Sequence, residues 1–251
     1  MTAIIVISTL FYLIWLVLRP QSHYSRYVAY AAWLSHAVIC FYSLIDEQGW
    51  RLHIVNAILL VSWLSVLIVL LFKIKSSWVK FPLLFFVFSS YLTLYINNGF
   101  SAEQYKQFSW QLDLHISLSM LAYSILAVAA LFALSLLIYI KKIKNSNFNA
   151  DRGLVSIIDD ERKLFHLIFL GWLILSTSLI SGVIFVEDFV QQHLGHKIVF
   201  SILAWLIFGL LILGRITKGW RGEKLIILTI TGMTLLATGY LGSKIVLEWI
   251  L

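Results

Sequence analysis

The sequence predicts an all-α, polytopic membrane protein of about eight transmembrane helices, with both termini on the non-cytoplasmic side. Three observations predict it. Of the 251 residues, 61% are hydrophobic and only 12% charged, a composition far outside the soluble average, so a bilayer must be the solvent. A helix needs roughly 20 apolar residues to cross a hydrocarbon core about 30 Å thick. Eight uncharged stretches near that length, each bounded by charged or turn-forming clusters, run along the chain. Finally, Lys and Arg are divided very unequally between alternate loops, and short loops rich in these residues stay in the cytoplasm.

The first stretch, 3–18, has no basic region before it and no small-residue cleavage site, so it reads as a mature helix rather than a signal peptide. Stretches 27–45, 54–72 and 81–97 follow. The fifth, 114–140, holds 27 uncharged positions and exceeds the hydrocarbon thickness at 1.5 Å per residue, so it is expected to tilt or to project outward. The loop before it mixes turn residues (Asn97-Asn98-Gly99) with aromatics (Phe100, Trp110), the pattern of a short interfacial helix. After it comes 141–163, expected to be the longest cytoplasmic loop, and then spans 164–186, 198–214 and 225–247. The segments 19–26, 73–80, 141–163 and 215–224 hold fifteen of the nineteen Lys and Arg; the opposite face keeps Arg51, Lys106, Lys197 and Lys244. The whole chain, 1–251, reads as one integral membrane domain without internal repeats.

Composition also excludes functions. The formal charge of +7 has no soluble domain to display it as a basic face, so nucleic acid is not an expected partner and the lipid bilayer is. Cys40 is the sole cysteine, which rules out an intramolecular disulfide, a CxxC redox pair and a thiolate metal cluster. Apart from Lys244, which pairs in spacing with Glu248, the spans hold no Asp, Glu, Lys or Arg. Transporters and pumps usually place such charges at mid-membrane despite roughly 2.5–3.5 kcal/mol each, so transport is the less favoured reading. No nucleotide-binding loop or serine-nucleophile motif is present, and the chain is not expected to be an enzyme.

The polar candidates for chemistry in and beside the spans are the histidines, which enter a bilayer neutral and whose ring nitrogens bind haem iron or other metals. His36 falls at the middle of the second span; His53, His115, His193 and His196 gather near the outer ends of spans three, five and seven; His23 and His166 lie toward the cytoplasm. Two histidines on different helices at one face are the arrangement that grips a haem from opposite sides. An interfacial residue at a helix end explains each of them separately, and for His36 interhelical hydrogen bonding weighs equally with ligand binding. His193 and His196, three apart, would share a helix face, a weak metal signal without carboxylates beside them. His115, Ser119 and Tyr123, spaced by four, line one side of the fifth helix, either as a binding face or as a hydrogen-bonded packing seam.

From His115 onward the chain resembles the cytochrome c assembly family, the haem-handling membrane proteins that include the CcsA, CcmC and YpjD types, with the YpjD type the nearest in pattern. The resemblance rests on Leu114-His115-Ile116-Ser117 through Tyr123, Glu161-Arg162-Lys163-Leu164-Phe165-His166, and His196-Lys197 through Trp205. It continues in Gly219-Trp220-Arg221-Gly222 and Gly239-Tyr240-Leu241-Gly242-Ser243-Lys244, and the pair His36-Ala37 extends it to a core of about 36–247. It implies that His115 is a haem ligand near the outer face of an inner (plasma) membrane protein. The chain departs from the family pattern in three places, one being the last-helix histidine, whose place falls near Trp249. The tryptophan-rich WWD haem platform expected before the seventh span reads Val186-Glu187-Asp188-Phe189 onward, and the mid-membrane histidine at the end of that span is Gly214.

The resulting expectation is a haem-binding or haem-handling protein of cytochrome c assembly. His115 is one axial ligand to a non-covalently held b-type haem, with His196, His193 or His53 opposite and His36 a further cofactor-binding candidate. Proteins of cytochrome assembly or haem synthesis are the expected partners. The competing expectation is a membrane regulator on the same fold that has lost haem, as in HemX-type relatives.

Overall fold

A computed structural model of the chain describes residues 2–18, 22–46, 49–50, 54–97, 110–144, 150–185 and 195–249. They form eight helices: α1 Thr2–Val17, α2 His23–Leu44, α3 Ile54–Leu71, α4 Ser77–Asn97, α5 Trp110–Lys144, α6 Ala150–Phe185, α7 Gly195–Lys218 and α8 Glu223–Trp249. Each coincides with one predicted span, and among the described residues five of them are long and apolar enough to cross a membrane, with α1 and α3 shorter but apolar. The protein is therefore an all-helical membrane protein. Between α2 and α3 a two-residue antiparallel ladder, β1 Ile45–Asp46 on β2 Gly49–Trp50, pairs Ile45 with Trp50.

One expectation is corrected. The segment 141–163 is not a long loop: α5 continues through Lys144 and α6 starts at Ala150. Charge does not stop a helix when it is paired along one face, and Lys163 reaches Asp159 at 2.8 Å and Asp160 at 3.5 Å, one turn back. At 35 and 36 residues, α5 and α6 are each about 50 Å long, well beyond a hydrocarbon core. The residues expected to form an interfacial helix before α5, 98–109, lie outside the described residues, as do His53 and His193.

The helices divide into two compact units, Met1–Asp113 and Leu114–Leu251. In the first, α1 packs on α2 and α4, and α3 on the same two, closing a four-helix ring. Its middle is polar. Tyr12 of α1 meets His36 of α2 (3.1 Å), His36 meets Ser62 of α3 (3.5 Å), Ser62 meets Ser90 of α4 (3.1 Å), and Ser8 meets Tyr91 (2.7 Å). Every helix thus contributes to one buried chain of hydroxyls through an imidazole, which holds the four in register. The α3–α4 connection closes α3 with a Schellman motif in which Lys73 takes the left-handed position (φ 52°), Ile74 N–H returns to the Val69 carbonyl (3.0 Å), and the two side chains are buried together.

In the second unit α7 packs extensively on α8 and more narrowly on α6. Gly232 and Gly239 of α8 let Phe208 and Phe200 of α7 approach so closely that a Cβ at either glycine would fall within 3 Å of a ring or Cβ atom. Trp172 of α6 stacks on Trp205 of α7 at 5.6 Å, donating to its carbonyl (3.1 Å), while the Trp205 ring donates to Ser176 (2.7 Å). The first unit repeats the device: Trp63 stacks on Trp33 at 5.1 Å and donates to its carbonyl at 3.2 Å.

Candidate functional site

His115 stands in the second turn of α5, half-buried, facing α6. Its Nδ1 lies 3.0 Å from the Ser178 carbonyl oxygen and 3.0 Å from Ser181 Oγ. The ring occupies the space above Gly182, where a Cβ would come within 2.9 Å of His115 Cε1. One turn further, the Ser119 hydroxyl donates to the His115 carbonyl (2.8 Å) and meets Ser178 Oγ at 2.7 Å. Tyr123, the third member of the stripe, turns to Ser201 of α7. The stripe therefore faces protein, as its spacing predicts, and His115 and Ser119 share one partner helix.

The imidazole has two nitrogens, and among the described residues no hydrogen-bond partner meets Nε2. A ring held at one nitrogen by a backbone carbonyl, with the other nitrogen open, is the usual state of a metal-bound histidine. The donor set thus fits haem iron, which needs one or two axial ligands from protein. Among the described residues no group of three or more His, Cys, Asp or Glu converges as a bare-ion site would require.

The other predicted positions are placed differently. His36 is fully buried, with Tyr12 on Nδ1, Ser62 on Nε2 and the Tyr91 ring edge-on at 4.9 Å. His196 belongs to the first turn of α7; the helical face expected to be shared by His193 and His196 falls partly outside the described residues, where His193 lies. His166 and His23 are exposed. The α6 residues Ser178, Ser181 and Gly182 escaped the sequence reading. Their i, i+3, i+4 spacing in an otherwise bulky apolar span is the small-residue signature of a close helix contact and would have located the partner of His115.

At the opposite end of α6 the motif blocks have a structural task. Glu161, 6% exposed, accepts from Gly222 N–H (2.8 Å) and pairs with Arg215 (3.7 Å), whose guanidinium donates to the Trp220 carbonyl (3.0 Å) and lies over the Phe165 ring. Gly219 and Gly222 take the left-handed conformation (φ 66° and 60°) that folds Trp220 back onto Gly214, where a Cβ would collide with the indole. Gly214 stands where the family pattern has a histidine, and the space beside it is taken by the Trp220 indole.

Eight helices and a histidine whose Nε2 has no partner among the described residues define a helical membrane protein with one candidate ligand position. The chain belongs to the cytochrome C assembly protein family, whose model matches residues 22–251. Among curated relatives, it is 32% identical to the inner membrane protein YpjD of Escherichia coli (strain K12) over 136 residues, 54% of this chain and 52% of that protein. It is 26% identical to the cytochrome c biogenesis protein CcsA of Chlamydomonas reinhardtii over 144 residues, 57% of this chain and 40% of that protein. The matched segments thus span about half the length of these relatives or less. No solved structure matches the chain.

Proposed function

We propose that this protein handles haem in the assembly of cytochrome c, holding it non-covalently through Nε2 of His115 in an inner membrane, with both termini and the His115 end of the bundle on the non-cytoplasmic side. The observation that carries the reading is the state of His115: Nδ1 is fixed by the α6 backbone and Nε2 has no partner among the described residues. Family membership and the resemblance to a CcsA protein support the process, and the Lys/Arg distribution supports the orientation. Within the same unit, His196 at the start of α7 is a candidate for a second ligand, as is His193, which lies outside the described residues. When bound, the haem would supply an iron with an exchangeable coordination position, and His115 would supply a ligand to it. Its partners in this reading are cytochrome assembly or haem-synthesis proteins, and it catalyses no reaction itself.

The test is the absorption spectrum of protein purified from haem-fed cells. A Soret band is expected, lost in His115→Ala and retained in His36→Ala. A spectrum without the band, or a band indifferent to His115→Ala, overturns the reading. A second reading is favoured by the Gly214–Trp220 contact, which leaves no space for a family-type histidine at that position. In it the fold has lost haem and regulates a partner; a stable partner copurifying without a chromophore would establish it.

A further inference from the structure

Ser178 and Ser181 together account for every proton around Nδ1. The Ser181 hydroxyl donates to the Ser178 carbonyl at 2.8 Å, so its proton is already used. A carbonyl oxygen donates nothing. The proton between His115 Nδ1 and these two oxygens, each at 3.0 Å, must therefore come from the histidine. Rotating the Ser181 hydroxyl toward the ring does not change this result, because a deprotonated Nδ1 would still oppose the carbonyl lone pairs at 3.0 Å. A neutral imidazole carries one ring proton; with it on Nδ1, Nε2 is a bare lone pair.

The backbone fixes the ring as firmly as the proton. Gly182 supplies the space that Cε1 occupies, and the Ser119–Ser178 bond at 2.7 Å ties α5 to α6 one turn away, setting the distance from the ring to the carbonyl. We infer that the α6 segment Ser178–Gly182 is the positioning element for His115, selecting its Nδ1–H tautomer through the Ser178 carbonyl and aiming Nε2 as an N-donor toward haem iron. This rests on the axial role proposed for His115 and adds the atom that binds and the residues that prepare it. A hydrogen bond from Nδ1–H to a carbonyl raises the basicity of the ligating nitrogen, so the segment also tunes how strongly the iron is held.

The test replaces the side chain with a free base. His115→Gly is purified from haem-fed cells and titrated with imidazole or with 1-methylimidazole, which binds iron through its unsubstituted nitrogen but has no N–H to offer the Ser178 carbonyl. Imidazole is expected to restore the wild-type Soret spectrum at a concentration about tenfold lower than 1-methylimidazole, the effect of roughly one hydrogen bond. Equal rescue by the two bases overturns the inference and leaves the axial role intact. An unchanged spectrum in His115→Gly removes the axial role itself and the inference with it. Gly182→Ala, which keeps His115, tests the positioning independently of whether the cavity variant folds. Its methyl group would meet Cε1 at 2.9 Å, so the iron–histidine stretching band of the ferrous protein, read by resonance Raman, is expected to shift. A band left in place overturns the positioning role.

Discussion

The two units each set a histidine between packed helices, and they use it in opposite ways. In Met1–Asp113, His36 is enclosed on all sides, with a hydroxyl on each ring nitrogen and a tyrosine ring against its edge. In Leu114–Leu251, His115 is half-buried, held at Nδ1 with no partner at Nε2 among the described residues, and backed by a glycine. An imidazole with both nitrogens engaged is a connector between helices: α1, α2, α3 and α4 meet through it. One with a single nitrogen engaged is oriented yet still has a lone pair to give. Burial and residue type alone do not separate these roles; the count of engaged nitrogens does.

The widest expected separation between the two is in haem content. His115→Ala should lower the haem-to-protein ratio by tenfold or more, whereas His36→Ala should leave it within about twofold, measured by pyridine haemochrome on purified protein. Equal losses would erase the distinction. Stability should run the other way. His36→Ala opens a cavity and strands the Tyr12 hydroxyl, and should cost about 2–4 kcal/mol in detergent denaturation, more than His115→Ala does. If His115→Ala is the more damaging, His36 is not the connector described above.

A smaller effect is expected within the second unit. Gly214→Ala forces the Trp220 indole off a helix it touches, since the added Cβ would collide with the ring, and should cost about 1–3 kcal/mol by overpacking. The change should appear as a shift in tryptophan emission with the His115 site unaffected, because that site lies toward the other end of α6. An emission spectrum that stays put would mean that the turn carries no such contact. The smallest expected effect is that of Tyr12→Phe, which removes one hydrogen bond to His36 while keeping the ring, for about 1 kcal/mol in the same denaturation measurement. A cost near zero would show that Ser62 alone suffices to hold the imidazole.

The tryptophans make the same point about position. Read along the chain they look like belt residues flanking the spans, and Trp78 and Trp110 are indeed exposed. Trp33 with Trp63, and Trp172 with Trp205, instead form stacked pairs inside their units, each with an indole donating to the partner's backbone. Nothing in the spacing along one helix announces which neighbour a ring will meet. The Glu161–Arg215 pair is a similar case. Its residues fall within and beside sequence blocks that carry the family resemblance, and the structure shows them anchoring the turn between α7 and α8.

The sequence by itself determined the eight helices, their order and their apolar character, because crossing a hydrocarbon layer requires a run of uncharged residues that no folding detail can supply. It also marked His115, Ser119 and Tyr123 as one protein-facing stripe, since helical periodicity is a local property. It misjudged 141–163, where intrahelical ion pairing keeps charged residues helical. Only the tertiary structure decided that His36 is spent on Tyr12 and Ser62 while His115, among the described residues, is engaged at Nδ1 and not at Nε2, and that Ser178, Ser181 and Gly182 hold it. Those facts depend on which residues of other helices arrive opposite each ring, and the pattern within a single helix does not encode its partner's register.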